Sequence, residues 1–300
     1  MVYFVIGSIF WVLGIAVLTS TLLGLIGNSS KKNVPHGLAT IPKQLCAYSA
    51  TTIGTRKVQQ DSSTKSTDEN CYRTKHNGIL AAVCDGMGGM EGGEIASHIC
   101  AECLYNEVIY LGSKLTNPYK LLESAINKAD ISIAALKTPD DKKMKCGTTA
   151  VAAIVYNDVF SWVSVGDSRI YQYDGRYLKQ ITRDHNYMLD LSKRVEEGTI
   201  TLVDAENHPQ AEALISYVGM GGMRLVDHGT EICSLQSGRV FLLCSDGLYK
   251  ALADIEIEQL LQKNMNNLRA IPQKLIDAVE NKRPYMALDN TTVVVVGYGY

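Results

Sequence analysis

Proline is scarce in this chain of 300 residues, with only seven, and no stretch repeats as a collagen-like or low-complexity array. Charge of either sign is not in excess: 29 Lys and Arg stand against 31 Asp and Glu. That balance argues against nucleic-acid binding through a broad basic face. The eight cysteines are too dilute for a disulfide scaffold. The glycines of Gly86 to Gly93 form neither G-x-G-x-x-G nor a Walker lysine motif, which excludes nucleotide binding. What the chain has is apolar content, 46% of its residues, enough for a substantial core.

Charge is missing altogether from Val2 to Ser30, and Val2 to Ile26 is mostly apolar. About 20 apolar residues suffice for a membrane-spanning helix. A cleaved signal peptide would need a basic start and a shorter apolar core, and neither is present. The expectation is a transmembrane anchor over residues 1–27. Lys31 and Lys32 follow it, which places the C-terminal side in the cytoplasm. In that reducing compartment the cysteines stay free thiols. Residues 28–45 are polar, carry Pro35 and Pro42, and read as a juxtamembrane linker, leaving residues 46–300 as one globular domain.

Within that domain Gly78 to Cys84, Thr148 to Tyr156, Val159 to Val165, Arg239 to Cys244 and Thr291 to Val296 read as buried strands. Ile170 to Tyr173 and Tyr177 to Ile181 flank Asp174-Gly175 as a hairpin. Helical spacing covers Glu94 to Leu111, with Ile95, Ile99, Cys103, Leu104 and Val108 expected on the buried face. It returns at Pro118 to Leu136 with Asn117 as cap, at Asp254 to Leu261, and at Leu268 to Val279. Consecutive strands without strict alternation predict an α+β fold.

Three strands end alike, in Cys84-Asp85-Gly86, Gly166-Asp167-Ser168 and Ser245-Asp246-Gly247, and Asp289 precedes the last strand. One Asp-Gly after a strand is an ordinary turn. Several acids meeting at one rim would repel one another, and hard divalent cations relieve such repulsion.

At these residues the chain resembles the PPM family, the type 2C metal-dependent Ser/Thr protein phosphatases, most closely their bacterial branch. The motifs run in order: GTRKVQQDS at Gly54 to Ser62, DGMGGMEGGEIAS at Asp85 to Ser97, CGTTA at Cys146 to Ala150, VGDSRIY at Val165 to Tyr171, TRDH at Thr182 to His185, CSDGL at Cys244 to Leu248 and DNTTVVVV at Asp289 to Val296. The resemblance implies a four-layer α-β-β-α sandwich of two antiparallel sheets flanked by helices. It implies two Mn²⁺ or Mg²⁺ ions and a weaker third. Asp85 would bridge the pair, the Gly86 carbonyl would ligate one ion, and Asp246 and Asp289 would complete the other shell. Asp61 would hold metal-bound waters, Arg56 would grip the substrate phosphate, and Asp167 would serve the third ion. The implied reaction is hydrolysis of phosphoserine or phosphothreonine by direct attack of a metal-bridging water. The implied partners are phosphorylated proteins, a Ser/Thr kinase among them.

The chain departs from the family in three places. Met87 stands where some members have a His proposed as general acid, Gln59-Gln60 precedes Asp61, and Lys250 replaces an acid that would help hold the third ion. Several features also have plain readings. Cys100, Cys103 and His98 suit helix packing better than half a zinc site; Cys84 and Cys244 suit inert buried thiols. Arg56, apart from the resemblance, suits a surface ion pair. His185 reads as structural and Ser62 to Asn77 as an exposed loop, while Asn186 to Gly222 resembles the family's flap near the active site. The rival function is a catalytically silent phosphoprotein-binding module on the same fold. Retention of Asp61, Asp85, Asp246 and Asp289 speaks for the enzyme.

Overall fold

Strict two-residue alternation runs through the central strands, and both of their faces are covered. The computed structural model describes residues 44–66, 78–88, 92–111, 117–156, 159–232 and 238–299. The expected membrane helix over residues 1–27 lies outside the described residues, as does most of the expected linker. In order, the chain forms β1 (Gln44–Thr52), β2 (Asp61–Lys65), β3 (Ile79–Gly88), α1 (Gly92–Asn106), α2 (Pro118–Ala134), β4 (Cys146–Thr148), β5 (Ala150–Tyr156) and β6 (Val159–Val165). Then follow β7 (Arg169–Tyr173), β8 (Leu178–Gln180), α3 (Met188–Glu196), α4 (Leu202–Glu206), β9 (Asp227–Ile232), β10 (Val240–Cys244), α5 (Asp246–Ala251), α6 (Asp254–Asn264), α7 (Ile271–Glu280) and β11 (Thr291–Gly299).

Two antiparallel sheets result, one in the order β1-β11-β10-β7-β8 and one in the order β2-β3-β5-β6-β9, with β4 paired to β3. Ala81, Val83, Val151, Ala153 and Phe160 of one sheet face Phe241, Leu243, Val294 and Val296 of the other. Phe160 and Phe241 stack there, with ring centroids 3.6 Å apart. Leu80, Ala82 and Cys84 point the other way, onto Ala96, Cys100 and Leu104 of α1 and Leu122, Ile126 and Ile133 of α2. On the far side, Val293, Val295 and Leu242 pack against Ile257 and Leu261 of α6 and Leu275, Ile276 and Val279 of α7. Helix, sheet, sheet and helix therefore stack in that order.

α2 starts as its cap residue dictates: the Asn117 side chain accepts from the Tyr119 and Lys120 amides, with Pro118 at the first turn. The expected face of α1 needs correction. Ile95 is exposed, and the buried face is Gly92, Gly93, Ala96, Ser97, Cys100, Ala101 and Leu104. Small residues are selected there because the helix start meets β3 almost backbone to backbone: a Cβ on Gly86 would fall 2.1 Å from the Gly93 carbonyl oxygen. The Glu107–Leu111 end of the same expected helix is a π-turn. Part of the expected Ser62 to Asn77 loop is strand, since β2 runs to Lys65 and pairs with β3. β1 starts at Gln44, inside the stretch read as linker.

Candidate metal centre

The strand ends carry their acids to one edge. Asp61 and Asp85 are register partners across β2 and β3, so their side chains share a face. The Asp85 backbone is fixed by the CGTTA segment: its amide donates to Thr149 Oγ1 at 3.1 Å, and its carbonyl accepts from the Thr148 hydroxyl at 2.9 Å and the Thr149 amide at 2.8 Å. Asp246 opens α5, and Asp289 lies just before β11. Asn290 links that end to the Arg56 turn, accepting from the Gln60 amide at 2.8 Å and donating to the Ile53 carbonyl at 2.9 Å. Gly54 makes this turn possible. Its φ is +62°, and a Cβ would fall 2.4 Å from the Asp289 carbonyl oxygen.

The acids feel one another. Burial, then the charges of Asp61, Asp246 and Asp167, raise the Asp85 carboxyl well above its ordinary range. Asp61 is pushed up to about 7, first by burial and then by Asp246 and Asp289, against the hydrogen bonds of Ser245 and Thr292. Asp167 is also pushed up to about 7, by burial and by Asp246, with Lys250 opposing. Such mutual shifts mark carboxylates lacking a compensating cation.

Two side chains supply partial compensation. Arg56 Nη2 donates to Asp289 Oδ2 at 2.6 Å, and Lys250 Nζ to Asp246 Oδ2 at 2.6 Å. The Asp289 hydrogen bond raises the Arg56 pKa. Burial would lower that of Lys250, but Asp246, Asp167 and Glu212 outweigh it and raise it. Asp61 Oδ2 accepts from the Ser245 hydroxyl at 2.7 Å. Each of two carboxylates is thus anchored by one oxygen and orphaned at the other: Asp61 Oδ1 and Asp246 Oδ1 are buried without a partner.

An orphaned buried carboxylate oxygen costs several kcal/mol on the order-of-magnitude scale for uncompensated charge. Hard divalent cations prefer such oxygens, so the donor set fits them. Among the described residues no three His, Cys, Asp or Glu side chains are already gathered as a finished ligand cluster. Asp85, Asp61, Asp246 and Asp167 nevertheless lie near enough to feel one another's charge. One oxygen each of Asp246 and Asp289 is taken by Lys250 and Arg56, and carboxylate rotamers turn readily.

The remaining motifs act as a frame. Arg169 grips Asp184 through Nη2 at 2.7 Å and Nε at 3.0 Å, and stacks over the Tyr249 ring at 3.5 Å. The Tyr249 hydroxyl donates to the Asp167 carbonyl at 3.0 Å. His185 is fully buried. Its Nδ1 accepts from the Gly166 amide at 3.2 Å and its Nε2 faces Asp227 at 3.3 Å, which makes it a structural pin. The segment 186–222 contains α3 and α4 and is fixed at its far end by Asp130 of α2. The Asp130 carboxylate accepts from the Gly219 and Gly222 amides at 2.7 Å each and from that of Gly221 at 3.2 Å. Cys100 is buried against Cys84, while His98 faces solvent beside Glu102, so this trio is packing and surface. Ser245, Thr149, Asn290 and Asp130 were not singled out from sequence. The first three sit inside the quoted motifs, but Ser245 and Thr149 hold acids far away in sequence, Asp61 and Asp85, so no local spacing announced those contacts.

Arg56 and Lys250 also line one open groove with Thr55, Ala251, Met286 and Leu288. Asp289 of the acid rim lines the same groove.

Comparison with known proteins finds relatives of this chain and of its fold. The chain is 30% identical over 227 residues to the serine/threonine phosphatase Stp of Listeria monocytogenes, covering 75% of this chain and 86% of that one. It is 31% identical over 230 residues to the serine/threonine protein phosphatase PstP of Mycobacterium tuberculosis, covering 74% of this chain and 41% of that one. The solved structure of the Streptococcus agalactiae serine/threonine phosphatase superposes with a TM-score of 0.71 at 27% identity, covering 85% of this chain and 99% of that one. The catalytic domain of PstP, solved in complex with two manganese ions, superposes with a TM-score of 0.67 at 26% identity, covering 85% of this chain and 99% of that one. The profile of the protein phosphatase 2C family matches residues 52–280, which contain every acid of the rim except Asp289, and the chain is a protein phosphatase of that family.

Proposed function

We propose that the chain hydrolyses phosphoserine and phosphothreonine in proteins, using two Mn²⁺ or Mg²⁺ ions held by Asp85, the Gly86 carbonyl, Asp246 and Asp289. The observation that carries this reading is the pair of buried, orphaned oxygens, Asp61 Oδ1 and Asp246 Oδ1, in a cluster of acids that raise one another's pKa. Relatives named serine/threonine phosphatases, one of them solved with manganese, support it.

When bound, such ions supply Lewis acidity, lowering the pKa of water and neutralising phosphoryl charge. Arg56 orients the phosphate: its guanidinium is exposed at the groove and offers planar, bidentate donors. Asp61 keeps Oδ1 free to accept a hydrogen bond from the attacking water, because Ser245 holds its other oxygen. Met87 cannot donate a proton, so the leaving oxygen takes its proton from solvent. Lys250 holds the outer oxygen of Asp246, so a third ion beside Asp167 would have to displace an ammonium. The silent-module reading is not favoured, because all four acids are retained.

Anchoring belongs to the same proposal. Among the described residues no helix is long and apolar enough to cross a membrane, and the apolar run Val2 to Ile26 lies outside them. Its length and its flanking Lys31 and Lys32 support a single-pass anchor with the phosphatase domain in the cytoplasm. The proposed substrates are phosphorylated cytoplasmic or membrane proteins, a Ser/Thr kinase among them.

The catalytic test is phosphate release from a phosphoserine peptide with and without Mn²⁺, for wild type and Asp85→Ala. Mn²⁺-dependent release that the variant loses supports the proposal; release by the variant at more than about a tenth of the wild-type rate, about 1.4 kcal/mol of barrier, contradicts it. Protease protection of the full chain in vesicles tests the topology, and digestion of the domain from the outer face of intact cells would overturn it.

A further inference from the structure

The groove beside Arg56 has chemistry that phosphate binding alone does not use. Arg56 and Lys250 line it together with the apolar side chains of Ala251, Met286, Ala287 and Leu288. A bare phosphate has no use for those apolar residues. A peptide chain carrying the phosphate would use them as well as the basic ones.

Lys250 is the informative residue. Its ammonium has three donors. One goes to Asp246 Oδ2 at 2.6 Å. A second carboxylate, Glu212 Oε2, sits at 3.6 Å, too far for a hydrogen bond. Glu212 belongs to the 186–222 segment, and its side chain is 80% exposed. A loose, solvated carboxylate thus already stands on the open side of Lys250. An ion pair of that kind is weak and easily exchanged for another carboxylate.

We propose that this groove takes the substrate chain flanking the phosphorylated residue, and that Lys250 recognises an acidic side chain there in place of Glu212. The proposal rests on the phosphatase reading and deepens it by naming a substrate class: phosphoproteins with Asp or Glu beside the phosphoserine or phosphothreonine. Arg56 takes the phosphate, Lys250 takes the neighbouring carboxylate, and Met286 and Leu288 carry the apolar part of the chain. Lys250 is here a specificity residue.

The test uses two phosphoserine peptides that differ only in having Glu or Lys on both sides of the phosphoserine. The ratio of their kcat/KM values with Mn²⁺ is measured for wild type, Lys250→Glu and Glu212→Gln. Because a ratio is read, any general effect of Lys250→Glu on the metal centre cancels, and p-nitrophenyl phosphate, which has no flanks, reports that effect separately. Wild type should favour the Glu peptide roughly three- to tenfold, the scale of exchanging an exposed attraction for a repulsion. The preference should lie mainly in KM. Lys250→Glu should bring the ratio below one, and Glu212→Gln should raise it. Equal kcat/KM for the two peptides in wild type, or a ratio unchanged by Lys250→Glu, overturns the proposal while leaving the phosphatase reading standing. Failure to hydrolyse either peptide or p-nitrophenyl phosphate with Mn²⁺ overturns both.

Discussion

Replacing Asp61 by Asn should stabilise the metal-free protein, and by more as the pH rises. The Asp61 carboxyl is raised from its ordinary 3.8 to about 7 in the folded protein, chiefly by burial. A raised carboxyl contributes stability that is fully present below the unfolded pKa and is lost as pH climbs through the folded one. Between about pH 4 and pH 7 the unfolded chain releases this proton more readily than the folded chain, so wild-type stability falls across that window. At about 1.4 kcal/mol for each tenfold change in proton affinity, the full interval from 3.8 to about 7 corresponds to about 4 kcal/mol. Coupling to Asp246 and Asp289 and entry of water make this an upper bound, and about 2 kcal/mol is the working expectation. Asn keeps an oxygen for the Ser245 hydroxyl and has no charge to bury. The assay is urea unfolding in EDTA at pH 4.5 and 7.5 for both proteins, repeated with Mn²⁺. The variant should match wild type near pH 4.5, exceed it at pH 7.5 without metal, and lose that advantage when Mn²⁺ loads the wild-type acids. A stability difference that stays constant from pH 4.5 to 7.5 would refute the electrostatic reasoning.

Other consequences can be measured independently. Arg56→Ala should lower kcat/KM for a phosphopeptide roughly 10- to 100-fold, the scale of losing charge-assisted hydrogen bonds, while Mn²⁺ binding persists. Asp130→Ala leaves the amides of Gly219, Gly221 and Gly222 without their acceptor and should cost about 2–3 kcal/mol in urea unfolding, with faster proteolysis inside residues 186–222. Lys250→Asp should add a low-affinity Mn²⁺-dependent phase to the activity curve, which vanishes when Asp167→Ala is combined with it; identical curves for wild type and Lys250→Asp would show that the position does not reach the metal centre.

The strands β3, β6, β10 and β11 were legible because an apolar or β-branched run stopping at Asp or Gly is a strong local signal. The acids at their ends were legible for the same reason. β1, β2 and β9 were not singled out because polar residues interrupt them: DSSTK and DHGTEI become strands only through pairing with β3 and β6. The face of α1 was misread at Ile95 because hydrophobicity was counted, whereas close approach to β3 selected Gly, Ala and Ser. The Arg56–Asp289 pair spans the length of the domain, and no local pattern could announce it. The grip of Lys250 on Asp246 is four residues long and visible as a helical spacing, but its sharing with Glu212 is tertiary.

The central claim is that this rim of acids exists to hold a pair of divalent ions. Its most direct test is calorimetric titration of the metal-free protein with Mn²⁺, comparing wild type with Asp85→Ala at pH 7.5. The account predicts two ions bound by wild type and the loss of at least one in the variant, which no longer has the shared ligand. Two ions bound by Asp85→Ala with unchanged affinity, or none bound by wild type, would contradict it.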